Sequence, residues 1–149
     1  MRFPRSKYKA TKAAYAGELY DSRAEAAYAA YLDALEKSEQ LEVLIRHPRY
    51  KLGCPENVYE GDFLVLIGRI IVVDDVKGSE TAAFKKNKRL WAKYGKWPLR
   101  VMRLKLKYLK TIEGEEPPLP TIKGIDFDVI HGGLDKRVYG PLHPEWLRR

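Results

Sequence analysis

The chain has 149 residues, enough for one domain with a real core and too few for a second independent one. Its 28 Lys and Arg against 20 Asp and Glu give a net charge of +8 and a pI near 9.5, a balance that favours a polyanionic partner. The single cysteine, Cys54, excludes an internal disulfide and a cysteine-ligated iron–sulfur cluster. No apolar run approaches the roughly 20 residues of a membrane span and the N-terminus has no apolar signal-peptide core, so a soluble, cytoplasmic protein is expected.

Arg2, Arg5, Lys7, Lys9 and Lys12 all precede the first acidic residue, Glu18. Residues 1–17 therefore read as an arm that tracks phosphates or as a solvated basic tail. Residues 22–37 read as an amphipathic helix, because Ala24, Ala27, Tyr28, Tyr31, Leu32 and Leu35 recur at helical spacing behind Ser22, a natural N-cap. Glu25 lies at the edge of that apolar face, and two readings of it stay open. Ser22-x-x-Glu25 is a capping box, in which the Glu bonds the N-cap amide, and a Glu at that edge also reaches a site where helix meets sheet.

A strand near Leu41–Arg46 and a loop around Gly53-Cys54-Pro55 follow, and residues 58–77 then form the most informative segment. Phe63–Ile67 and Ile70–Val73 are apolar and rich in β-branched residues, and Gly68-Arg69 between them suits a two-residue type II′ hairpin turn. Counting outward from Ile67 opposite Ile70 sets Asp62 opposite Asp75 on one face, with Asp74 on the other, whereas a three-residue loop or a bulge would set Asp62 opposite Asp74 or Val76 instead. Like charges so placed destabilise a sheet unless something compensates, and a divalent cation is the obvious compensator. Lys77 projects from the same face as Asp75 and completes an Asp…Asp-x-Lys set suited to metal-assisted hydrolysis. The plainer readings are two surface acids and a Lys77–Glu60 salt bridge.

Gly78-Ser79-Glu80-Thr81 break the chain before a second helix, roughly 82–94, stopped by Gly95. It carries Lys85, Lys86, Lys88 and Arg89, which contact backbone phosphates or form a solvated basic face. After Pro98, Met102, Leu104, Leu106 and Tyr108 alternate with Arg103, Lys105 and Lys107, the period of a half-buried strand with one basic face. The helix before it is a crossover that returns this strand parallel to its predecessor. Residues 111–149 open with the linker-like Glu113–Pro118 stretch, and the apolar patch Ile125–Ile130 and Trp146 imply that this C-terminal extension docks on the core or mediates dimerisation. His47, His131 and His143 lack metal-ligand spacing and are read as ordinary polar residues.

The helix-borne acid, the Asp on one strand and the Asp-x-Lys on the next, in an α-β-β-β-α-β order, resemble the PD-(D/E)xK nuclease superfamily. More closely, Tyr20–Ala26, Asp62-Phe63 and Asp74–Gly78 resemble a family of small phage-encoded members related to Holliday junction resolvases. The likeness covers about residues 18–108, with Gly61 in place of the Pro that names the motif. It implies an α/β (α+β) fold with a restriction-endonuclease-like core, residues 18–110, built as a mixed central sheet flanked by helices. It also implies Mg²⁺ or Mn²⁺ on Asp62, Asp75 and the Val76 carbonyl, Glu25 as a further direct or water-mediated ligand, and Lys77 beside the attacking water.

A metal-dependent endodeoxyribonuclease acting on branched phage DNA, most simply a four-way junction, is the leading expectation. A small basic chain has no room for an added recognition domain, and symmetric cutting calls for a two-fold homodimer. The expected DNA contacts are Arg5, Lys7, Lys9, Lys12, Arg23, Lys85, Lys86, Lys88 and Arg89. A less selective nuclease or nickase, a non-catalytic DNA-binding protein on the same scaffold and a small basic structural protein are the alternatives.

Overall fold

The computed structural model describes residues 12–135. A hairpin opens it: β1 (Ala13–Tyr15) and β2 (Glu18–Tyr20) pair across Ala16-Gly17, whose positive φ angles of 50° and 82° are those a tight primed turn requires. This ribbon adds two strands within the segments expected as the arm and the start of the core. Helix α1 (Arg23–Lys37) follows, and the Ser22 hydroxyl accepts from the Glu25 amide at 3.0 Å. Its buried side carries Glu25, Ala26, Ala27, Tyr28, Ala29 and Leu32. The buried face is therefore rotated toward Ala26 and Ala29, and Tyr31 is left at the rim.

Strands β3 (Glu42–Arg46), β4 (Arg49–Lys51), β5 (Val58–Glu60), β6 (Phe63–Ile67) and β7 (Ile70–Val76) come next, then α2 (Ala82–Tyr94), β8 (Leu99–Lys107) and β9 (Thr121–Ile130). The main sheet runs β3-β6-β7-β8-β9, antiparallel throughout except for the parallel β7–β8 pair that α2 connects. The fold is thus mixed α+β, with a five-stranded mixed sheet and two helices. Phe63, Val65 and Val72 pack beneath α1, and Leu64, Val73, Leu99 and Val101 pack against Phe84 and Trp91 of α2. Strands β6 and β7 are buried from both sides, as uninterrupted apolar runs require.

The hairpin holds the register expected from its turn, with Ile67 opposite Ile70, Val65 opposite Val72 and Phe63 opposite Asp74. Gly68 takes a positive φ of 60° and Arg69 does not, as a type II′ turn demands. The segment 58–77 is nevertheless not one hairpin. The chain leaves the sheet at Gly61-Asp62, and β5 turns away to pair with β4 in a separate ribbon.

Helix α2 begins and ends where expected: the Thr81 hydroxyl accepts from the Phe84 amide, and the Gly95 amide bonds the Trp91 carbonyl. Beyond the Glu113–Pro118 stretch, residues 121–130 of the C-terminal extension supply β9, which pairs with the whole length of β8. No helix among the described residues is long and apolar enough to cross a membrane.

Candidate metal centre

The acids singled out in the sequence gather at one end of the main sheet, where β7 finishes, β6 begins and the first turn of α1 arrives. Asp62 is fixed at that junction on three sides. Its amide donates to the Asp74 carbonyl at 3.0 Å, its carbonyl accepts from the His47 amide at 2.8 Å, and its Oδ2 accepts from the Val76 amide at 2.6 Å. Asp75 is fully buried on the face of Val73 and Val101. The Tyr59 hydroxyl donates to its Oδ2, and the Lys77 ammonium stands 3.0 Å from its Oδ1. Lys77 is held there from above by the Phe84 ring, whose centre is 4.7 Å from Nζ. Glu60 does not pair with Lys77; it turns instead toward Arg49 at 3.7 Å and His47 at 3.8 Å.

Glu25 makes only one half of a capping box. The Ser22 hydroxyl takes the Glu25 amide, while the Glu25 carboxyl is buried with Oε1 3.6 Å from His47 Nδ1, beyond hydrogen-bond reach. Of the described residues, three buried side-chain oxygens have no hydrogen-bond partner: Glu25 Oε1, Asp75 Oδ1 and Tyr50 Oη. Two of the three thus fall at this one place, where native interiors ordinarily leave almost none. The Lys77 contact with Asp75 Oδ1 is an ion pair by distance without hydrogen-bond alignment, which is why that oxygen counts among the three.

Glu25, Asp62 and Asp75 act on one another by their charges and are under-compensated, although only Glu25 and Asp62 of the three join the group whose donor atoms lie within 4.8 Å. Burial, then the charge of Asp75, then that of Glu25 push Asp62 up to about 9, against the opposing pull of the Val76 amide and Lys77. Burial is also the main cause that raises Glu25, assisted by Asp21 and Asp75 and opposed by His47 and Lys77. Tyr59 is held far above its ordinary value, first by burial and then by Asp75, so it stays a hydrogen-bond donor to that carboxylate. Such a set gains from a divalent cation, which removes the repulsion and lets the acids ionise.

The donor atoms of Glu25, His47 and Asp62 all lie within 4.8 Å of one another. The sequence reading gave His47 an ordinary polar role and did not name Tyr59. His47 reaches the site only because β3 and β6 are paired with a bulge, and Tyr59 only because β5 folds back. Neither fact has a local signal.

A family model described as "Protein of unknown function (DUF1064)" matches residues 5–110, more than half of the chain. The chain belongs to that family. No curated protein and no solved structure matches it. The part shared with the DUF1064 family runs from the basic N-terminal segment to just past β8, and it includes Glu25, His47, Tyr59, Asp62, Asp75 and Lys77. Strand β9 lies outside it.

The expected DNA contacts in this DUF1064 chain fall into groups. Arg5, Lys7 and Lys9 lie outside the described residues, and Lys12 is exposed just before β1. Arg23, the first residue of α1, stacks its guanidinium on Tyr108, 5.4 Å from the ring centre. Lys85, Lys86 and Arg89 are exposed on α2. Lys88 is not a free cation, since both Glu80 oxygens take its ammonium at 2.7 Å. Arg103 on β8 is likewise held, at 2.8 Å from Asp128 and 3.4 Å from Asp126, which reduces the basic face expected of that strand.

Proposed function

We propose that this protein is a Mg²⁺- or Mn²⁺-dependent endodeoxyribonuclease of the PD-(D/E)xK type that acts in the cytoplasm, as a homodimer, on branched DNA such as a four-way junction. One observation carries the reading: the donor atoms of Glu25 and Asp62 stand within 4.8 Å of each other and of His47 at the end of the central sheet, Asp75 acts on both acids by its charge, and Lys77 lies 3.0 Å from Asp75. With the β4–β5 ribbon set apart from the main sheet, α1, β3, β6, β7, α2 and β8 follow the order which that superfamily implies.

The residues present suit a hard divalent cation, for carboxylate oxygens are its preferred donors. Asp62, Asp75, Glu25 and the Val76 carbonyl would hold it, and it would supply charge stabilisation at the phosphoryl group and a more acidic water. The protein's own groups account for the rest. Tyr59 fixes the orientation of Asp75 through its hydroxyl. Lys77, braced by Phe84, places a positive charge where it orients the attacking water and offsets charge that develops on the phosphate oxygens. The exposed Lys85, Lys86 and Arg89 of α2 line up backbone phosphates, a sequence-independent contact that suits a substrate known by its shape. Symmetric cleavage of a four-way junction needs two such sites related by a two-fold axis.

The test is incubation of labelled four-way junction, linear duplex and single-stranded DNA with Mg²⁺ or Mn²⁺. The junction is cut preferentially, and Asp62→Asn and Asp75→Asn each lower cleavage by about 10³-fold while junction binding persists, as the loss of several kcal/mol of charge stabilisation requires. Equal cutting of all three substrates would defeat the junction preference, and no metal-dependent cutting at all would defeat the nuclease.

A further inference from the structure

Imidazole nitrogen is a donor that Mg²⁺ rarely accepts and that transition metals seek. His47 brings one to the acidic centre. It follows β3 with a left-handed φ of 53°, a conformation uncommon for a residue with a side chain, and its own amide is tied to the Asp62 carbonyl at 2.8 Å. Its side chain is one-third exposed, which leaves the ring open to an incoming hydrated ion.

We propose that Glu25, His47 and Asp62 form a mixed nitrogen and oxygen site that binds a divalent transition metal such as Mn²⁺ in preference to Mg²⁺, with His47 as a direct ligand.

The distances suit an ion better than direct contacts. His47 Nδ1 lies 3.6 Å from Glu25 Oε1, too long for a hydrogen bond, and the donor atoms of the three residues all fall within 4.8 Å of one another. Adjacent ligands of one cation, with bonds of about 2.1 Å, stand roughly 3.0–3.4 Å apart, so the His47–Glu25 pair is already near that spacing and the widest pair would close by up to about 1.8 Å. Glu25 supplies an independent sign, because this residue is only 6% exposed and its Oε1, the atom facing His47, has no hydrogen-bond partner. An ordinary structural histidine–glutamate pair would have closed to hydrogen-bond distance and satisfied that oxygen. The mixed donor set also assigns the centre a preference that carboxylates alone do not give, since affinity of nitrogen-containing sites rises from Mg²⁺ to the first-row metals.

This inference builds on the nuclease reading's acids, but it is tested through metal binding, so the two can fail separately. Calorimetric titration of the full chain with Mn²⁺ and with Mg²⁺ should give Mn²⁺ the tighter binding by about tenfold or more. His47→Asn, chosen because Asn tolerates the left-handed backbone, should weaken Mn²⁺ by about tenfold and leave Mg²⁺ within about threefold. Pulsed electron paramagnetic resonance of wild-type protein with Mn²⁺ should show ¹⁴N coupling, which requires no variant to fold. Absence of that coupling, or equal Mn²⁺ affinity in His47→Asn, overturns the site even if DNA is cut. Its presence sustains the site even if DNA is not.

Discussion

Asp74 and Asp75 are neighbours on one strand, both wholly buried, and they have opposite fates. Asp74 faces α1 and is neutralised within the fold: Arg100 Nε and Nη2 grip its two oxygens at 2.5 Å each, and the Tyr28 hydroxyl donates to Oδ2. That bidentate pair is internally complete, and the same pairing raises Arg100 despite its burial. Asp75 faces α2 and meets Tyr59, a partly exposed lysine and two more acids. The fold thus matches charge with charge at Asp74 and leaves negative charge in excess around Asp75, where the first turn of α1 brings Glu25 to the end of the sheet.

Substitution at the two positions should separate the roles most strongly. Asp74→Asn strands the Arg100 cation in the core, and urea unfolding should show a loss of about 3–5 kcal/mol. Asp75→Asn removes one member of a repelling group, so its unfolding free energy should stay level or rise while the cleavage proposed above is lost. Equal destabilisation of both variants would erase the contrast.

Gly61 offers a smaller effect that sharpens the same comparison. A Cβ there would lie 2.7 Å from Val73 Cγ1, on the side of the sheet that Asp75 shares, and the Gly61 amide donates to the Pro48 carbonyl at 2.9 Å. Gly61→Ala should cost about 1–3 kcal/mol in stability through overpacking. Gly61→Pro should cost more, because it adds the lost hydrogen bond, and chemical denaturation would rank the two. Glycine at position 61 is therefore demanded by this chain's own packing.

The smallest effect is a pH trend, because solvent screens the partly exposed Asp62. Its folded-state value of about 9 lies above the ordinary 3.8, so the native protein holds a proton that the unfolded chain has released. Stability without metal should therefore fall as pH rises from about 4 to about 9, and level off above. Thermal unfolding at pH 6 and 8.5 should show this decline, and Mn²⁺ or Asp62→Asn should flatten it. A rise with pH would contradict the crowding of acids.

Several elements were legible because their determinants are local. Gly68-Arg69 with flanking β-branched runs fixes a hairpin register, and that register alone brings Asp62 and Asp75 to one strand end. Ser22, Thr81 and Gly95 mark helix limits through hydrogen bonds that span only three or four residues. His47 stands beside the acids for a nonlocal reason. Counted from Glu42 opposite Leu66, an unbroken β3–β6 ladder would set Arg46 opposite Asp62, but the irregularity between Val43 and Ile45 advances the pairing by one and brings His47 there.

Amino-acid order by itself determined the β6–β7 hairpin, the two helices and the acids that share one face, since each depends on side-chain period and turn chemistry within a few residues, whereas the ribbons β1–β2 and β4–β5 interrupt the expected α-β-β-β-α-β succession. Tertiary structure decided which acid is neutralised and which is not. Arg100 reaches Asp74 across 26 positions, Tyr59 reaches Asp75 across 16, and β9 closes the sheet from a segment that reads as a linker followed by an apolar patch. Those pairings depend on a bulge, a strand that turns aside and a crossover. Their energies are settled only when distant backbone segments pack, which no short window of sequence contains.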